Sequence, residues 1–200
     1  MYIILCGRQG SGKTTVAEAL KAYYSYRGTA CFAYDFMQPV QEAHDAAFIA
    51  LQRYGMPRPP EDLYSRLPYQ YIYSWLEMLL PTYANAELTK VIQRWDDLKM
   101  YHIAVVHGMT KPAQLEKYLT GFKVLLTCNV DERNRRITTA GGSSAFCLRD
   151  YNHPIEAGFD DCAVSDIFDL VVDTGMMTPD KVASHIGECL HKKLFGDKAP

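Results

Sequence analysis

The feature that most restricts this chain is the run Gly7-Arg8-Gln9-Gly10-Ser11-Gly12-Lys13-Thr14. It sits between an apolar segment, Tyr2 to Cys6, and an amphipathic one that begins near Val16. Glycines at 7, 10 and 12 let the backbone curl around an anion with no Cβ in the way. Successive N–H groups then converge on that anion at the amino end of a helix. The pattern G-x-x-x-x-G-K-[ST], placed after a strand and opening a helix, is that of a P-loop. It predicts a bound nucleoside triphosphate with Mg2+. The backbone of Gln9, Gly10, Ser11 and Gly12 would wrap the phosphates, and Lys13 would reach the β- and γ-phosphates. The Thr14 hydroxyl would ligate Mg2+, and Thr15 would add a bond to the α-phosphate. The loop speaks for triphosphate binding and leaves the reaction open.

The flanking sequence predicts the architecture. Tyr2 to Cys6 reads as a buried central strand. Val16, Ala19, Leu20 and Tyr23 fall on one helical face. Thr29 to Tyr34 reads as a second strand, ending at Asp35, and further strands are expected at Ile103 to Val106, Val124 to Cys128 and Phe168 to Val172. Helices are expected at Val40 to Arg53, Tyr69 to Leu80, Ala86 to Met100, Pro112 to Leu119, Asp131 to Thr138 and Pro179 to Leu190. Five short strands alternating with helices imply an α/β domain with a five-stranded, mostly parallel sheet. In such sheets ligands bind beyond the carboxyl ends of the strands. That edge would carry Gly7 to Thr14, Asp35, His107 to Thr110, Asn129 and Thr174.

The 200 residues suffice for one domain, and 48% hydrophobic with 22% charged residues is ordinary for a globular chain. A formal net charge of −2 disfavours a general nucleic-acid or anionic-membrane partner. The six cysteines form no C-x-x-C pair and read as reduced thiols. No apolar run reaches the roughly 20 residues of a membrane helix. The expectation is a cytoplasmic protein without nucleic-acid or membrane partners; a homodimer is compatible with the sequence.

Three regions add candidates for phosphoryl chemistry. Arg133 and Arg136 share a face of the helix after the fourth strand, and a small-residue stretch, Thr138 to Ala145, separates them from Arg149. Arginines flanking a Gly/Ser loop suit a lid, about 137–150, that closes over phosphates. Asp35 ends the second strand and has three roles open to it: accepting a hydroxyl proton, binding Mg2+ through water, or contacting a sugar. The stretch 36–100 exceeds what a crossover needs and reads as an insertion that binds substrate. Within it Arg53, Arg58 and Arg66 are candidates to hold an acceptor phosphate. Tyr64, Tyr69, Tyr71, Tyr73 and Trp75 are dense enough to stack on a base, although Tyr69, Ile72, Tyr73 and Leu76 also have core-helix spacing.

Several of these segments together resemble the P-loop nucleoside monophosphate kinases, particularly the deoxynucleoside monophosphate kinases of bacteriophages. They are Ile3 to Leu20, Phe32 to Val40, Val124 to Ile137, His153 to Gly158 and Phe168 to Thr174. The resemblance spans roughly residues 1 to 190. It implies a three-layer P-loop kinase-like fold with a core of 1–35 and 101–200, a helical monophosphate-binding insertion at 36–100 and a short lid. By this likeness Arg133 would stack near adenine, Arg136 and Arg149 would touch phosphates, and Thr174 and Gly175 would border the adenine pocket. Asp35, Phe36, Gln38, Arg53, Arg66 and Trp75 would face a nucleoside or deoxynucleoside monophosphate. In such kinases strand three often ends in an aspartate followed closely by an arginine. Here it reads Val105-Val106-His107-Gly108-Met109-Thr110-Lys111, with no carboxylate.

The resulting expectation is ATP-dependent phosphoryl transfer to a (deoxy)nucleoside monophosphate. The catalytic groups would be Lys13, Arg136, Arg149 and Asp35. The alternatives are a P-loop kinase of another small acceptor, and a nucleotide-binding protein without turnover.

Overall fold

The structure is a computed structural model. It describes residues 1–55, 74, 75, 78, 83–98, 103–109, 121–139 and 167–196. The described strands are β1 (Tyr2–Cys6), β2 (Cys31–Asp35), β3 (Ile103–Met109), β4 (Phe122–Thr127) and β5 (Leu170–Asp173). The helices are α1 (Lys13–Tyr26), α2 (Gln38–Arg53), α3 (Tyr83–Leu98), α4 (Val130–Thr139) and α5 (Pro179–Phe195). The strands form one sheet in the order β2-β3-β1-β4-β5, and every pairing is parallel. This is the α/β arrangement that the alternation of strands and helices predicts.

The chemistry of β1 explains its central place. Ile3, Ile4, Leu5 and Cys6 are all fully buried, so both faces of the strand need cover. Ile3 and Leu5 join Val105, Val124, Leu126 and Val172 beneath Val16 and Leu20 of α1 and Val182, Ile186 and Leu190 of α5. Ile4 and Cys6 pack on the opposite face with Tyr34, Val106 and Met109, under Val40 of α2 and Leu88 of α3. Alternate residues of one strand thus anchor two apolar layers.

Some boundaries differ from the pattern of apolar residues. Thr29 lies outside β2 because its N–H closes the end of α1 on the Tyr24 carbonyl, at 2.9 Å. Strand β3 continues past Val106 through His107 and Gly108 to Met109. Its register with β1 slips there, Leu5 facing His107 and Cys6 facing Met109. Gly108 is the extra residue of this bulge, with φ of 89°. A side chain at 108 would collide with the Asp35 carboxylate, so the bulge and the aspartate share one space. The end of β5 shifts to Asp173, placing Thr174 directly beyond the sheet edge.

The helix expected at Pro112 to Leu119, most of the one at Tyr69 to Leu80, the lid beyond 139, and the segment His153 to Gly158 lie outside the described residues. No helix among the described residues is long and apolar enough to cross a membrane.

The two-layer core sets a stability expectation. Ile186 is fully buried between α5 and the sheet, whereas Val171 is 49% exposed on β5. Ile186→Ala should destabilise the fold by about 2–5 kcal/mol, and Val171→Ala by about 0.5 kcal/mol. Denaturant unfolding of the two variants beside the wild type measures the contrast.

Candidate active site

The phosphate loop lies at the carboxyl end of β1, and its curl is specified by sterics. Gly7, Gly10 and Gly12 have φ of 139°, 75° and 89°. A Cβ at Gly7 would meet the Leu126 carbonyl and Ser11 Oγ, and one at Gly10 would lie 3.2 Å from the Arg133 carbonyl and the Ile137 side chain. Gly12 caps α1 in the left-handed conformation and offers no side chain to the helix end. Val16 donates to the Gly12 carbonyl at 2.8 Å. The preceding amides of the first turn point out of the helix along its positive end. This cradle fits a polyphosphate.

Lys13 bends back over the loop, and its Nζ donates to the carbonyls of Gly7 at 2.7 Å and Arg8 at 2.8 Å. The ammonium is therefore held at the loop by its own backbone. Thr14 and Thr15 are exposed at the mouth. Thr14, the residue to which the sequence pattern assigns Mg2+, lines the cleft. Under the loop, burial pushes the Cys6 thiol up to about 12, a rise that Lys13 only partly offsets, and so keeps it neutral.

These groups open onto a cleft of about 410 Å³. Gln9, Gly10, Gly12, Lys13, Thr14 and Thr15 form one wall, and Asp35, Met37, Val40, Gln41, His107 and Gly108 form the other. Asp35 Oδ1 accepts the Met37 N–H at 2.9 Å, which ties the carboxylate to the turn that starts α2. His107 stands beside Asp35 in the ladder and is 6% exposed. Burial lowers its pKa; Asp35 opposes that shift and Lys13 adds to it. The imidazole is therefore neutral near pH 7, where a strand-three aspartate would carry charge.

Arg136 approaches the loop from the other side. Its Nη1 donates to Thr174 Oγ1 at 3.0 Å and reaches the Gly10 carbonyl at 3.5 Å. Its Nη2 donates to the Thr174 carbonyl at 2.8 Å, and its Nε to Glu132 at 2.9 Å. Hydrogen bonds from Arg135 and Arg136 hold the Glu132 carboxyl down at about 2. Asn129 starts the helix, its Oδ1 accepting the Glu132 N–H at 2.8 Å. Gly175 donates its N–H to Asp173 Oδ1 at 2.8 Å and lies against Cys128 and Asn129.

Several expected site residues sit elsewhere. Phe36 is a core residue at 1% exposure. Its N–H bonds the His107 carbonyl at 2.7 Å, which prolongs the β2 alternation and turns the ring inward with Tyr34. Gln38 is exposed and its amide donates to Glu42 at 2.8 Å, one position off the face that lines the cleft. Arg53 is exposed in the last turn of α2, roughly 18 Å along the helix from Gln41. Trp75 is 56% exposed and is no part of the described cleft wall. Arg133 is 4% exposed and offers no open stacking face, because its turn of α4 faces inward against the phosphate loop. Thr174 is 3% exposed and bonded within the protein instead of lining an open pocket. Arg58, Arg66, Lys111 and Arg149 lie outside the described residues.

Sequence reasoning missed Met37, Val40 and Gln41. The signal was present: they are three and four apart, so one helical face follows directly from Asp35.

No protein-family model matches the chain, and no curated protein matches it in sequence. Among solved structures, TT1252 from Thermus thermophilus superposes with a TM-score of 0.57 at 18% identity, over 100% of this chain and 98% of that one. The APS kinase CysC from Mycobacterium tuberculosis, solved in complex with AMPPNP and APS, gives 0.51 at 13% identity, over 95% and 96%. At these identities the likeness is one of fold. The chain has a P-loop kinase fold, with a five-stranded parallel sheet carrying the phosphate loop at the end of its central strand.

His107 generates a pH expectation. Its folded pKa lies below the ordinary 6.5, so the unfolded chain takes up a proton that the folded protein refuses. The stability associated with the neutral ring is complete above about 6.5 and is lost progressively as the pH falls below it. His107→Gln should flatten the acid limb of a stability–pH curve measured by denaturant unfolding over that window.

Proposed function

We propose that this protein transfers the γ-phosphoryl group of ATP to a (deoxy)nucleoside monophosphate, forming ADP and the corresponding diphosphate. The observation that carries the reading is that one cleft is lined both by the phosphate loop with Lys13 and Thr14 and by Asp35 with the first turns of α2. The phosphate loop, Lys13 and Thr14 provide the donor half. Asp35 and the first turns of α2 provide a wall for the acceptor. The P-loop kinase fold supports phosphoryl transfer in general, and the sequence resemblance points to a nucleotide acceptor.

The roles follow from the chemistry. ATP would lie along the loop amides, and Mg2+, held through Thr14, would neutralise the β- and γ-phosphates. Lys13 exchanges its two loop carbonyls for phosphate oxygens without leaving the loop. Arg136 supplies a fixed cation beside Gly10 and Gly12. The acceptor oxygen would approach from the α2 side, in line with the γ-phosphorus. Catalysis of this kind rests on positioning and charge, with no covalent enzyme intermediate.

A second reading is kept for one observation. Asp35 puts a carboxylate in the acceptor wall. That suits a hydroxyl acceptor, whose proton it can take, better than a phosphate acceptor, which it repels. The small-molecule kinase reading therefore differs from the first by the acceptor alone.

A single panel decides between them. Purified protein with Mg2+-ATP is offered each common NMP and dNMP, and separately a set of small hydroxyl acceptors, with ADP detection. Turnover with a monophosphate, lowered at least about a hundredfold by Lys13→Ala, is the expected outcome. Turnover with hydroxyl acceptors alone transfers the assignment to the second reading. ADP formation no greater than that of Lys13→Ala across the whole panel sinks both.

A further inference from the structure

We infer that Thr174 and Arg136 form a latch that sets the curvature of the phosphate loop, with the Thr174 hydroxyl as its positioning group. The inference rests on the loop being the donor site. It concerns how that loop is held.

Thr174 follows β5, on the far side of β4 from the loop, yet three segments meet at its side chain. Oγ1 lies 2.9 Å from the Ser11 carbonyl and 3.1 Å from the Thr127 carbonyl, and its single proton serves these two acceptors. The same oxygen accepts from Arg136 Nη1 at 3.0 Å. Its own backbone is fixed in turn: the Thr174 N–H donates to the Thr127 carbonyl at 2.9 Å, and the Thr174 carbonyl accepts Arg136 Nη2 at 2.8 Å. The residue is 3% exposed, so none of these bonds is replaced by water at little cost.

The consequence for the loop follows from peptide geometry. A trans peptide is planar, with its C=O and N–H pointing in opposite directions. Drawing the Ser11 carbonyl toward Thr174 aims the Gly12 N–H the other way. Gly12 lines the cleft, so the bond orients one donor of the anion cradle. Arg136 adds a second fixed point at the Gly10 carbonyl, 3.5 Å away. Its Nη1 lies 3.5 Å from where a Gly12 Cβ would stand. Two hydrogen bonds donated to Thr174 and one to Glu132 leave this guanidinium little freedom to swing. The latch therefore presets the loop before a ligand arrives, which lowers the ordering cost of binding.

The test titrates ATP, and separately inorganic tripolyphosphate, into folded protein by calorimetry with Mg2+ present. The variants are T174V, T174S, R136Q and T174V/R136Q. Valine keeps the threonine shape without the hydroxyl, and serine restores the hydroxyl alone. T174V should weaken both ligands about tenfold, T174S should bind within about threefold of wild type, and R136Q should lose about tenfold. The double variant should lose well under the product of the single losses, because both changes open one latch. Wild-type binding with T174V within about twofold of it overturns the latch. So does a T174S variant as weak as T174V, or a double variant that loses the full product. If T174V does not fold, R136Q, changed at a partly exposed residue, decides: binding within about twofold of wild type overturns the proposal. Wild-type protein that binds neither ligand overturns the donor-site reading, and the latch with it.

Discussion

The pairing of β1 with a strand on each side is the constraint from which the rest of the molecule follows. Its four apolar residues are wholly buried, so the sheet must extend both ways and helices must cover both faces. Parallel pairing brings the carboxyl ends of all five strands to one edge. The phosphate loop leaves β1 at that edge, between the ends of β3 and β4. Its neighbours are thereby decided: Asp35 and His107 on one side, Thr127 and Thr174 on the other. An edge strand, paired on one side only, would have left the loop at a sheet border, with half of these groups missing.

The site divides by charge along the same line. On the β4–β5 side a cation, Arg136, is held against the loop, with Glu132 as its carboxylate partner. On the β2–β3 side stand a carboxylate and a neutral imidazole. Lys13 lies between them, tied to the loop by two carbonyls. In the proposed reaction polyphosphate lies next to the β4–β5 side and the acceptor on the Asp35 side. Gly108 makes the second half sterically feasible, because its missing side chain leaves the space that Asp35 fills.

What could be read from the sequence depended on how local each signal is. The phosphate loop was legible because sterics and spacing alone specify it. The strands were legible as apolar runs, and α5 as a 3.6-residue period. Thr29 and Gly108 were not: a bond back to Tyr24 draws Thr29 into the end of α1 although its sequence fits a strand, and the bulge at Gly108 arises from pairing with the distant β1. Phe36 and Gln38 looked suited to the site because they follow Asp35. Whether their side chains enter the cleft depends on the direction in which α2 leaves the sheet. Arg133 and Arg136 read alike as arginines on one face of one helix. Their difference, one buried and one bonded to Thr174, comes from how α4 sits on the loop.

By itself the sequence determined the alternation of five strands with helices, the anion cradle of Gly7 to Thr14, and the position of Asp35 at a strand end. Each of these is a property of neighbours in the chain. Only the tertiary structure decided the strand order, the bulge that seats Asp35 and the meeting of Ser11, Thr127 and Arg136 at Thr174. Those contacts join residues as many as 163 positions apart. No local pattern encodes which carbonyl a hydroxyl will face once the sheet has closed around it.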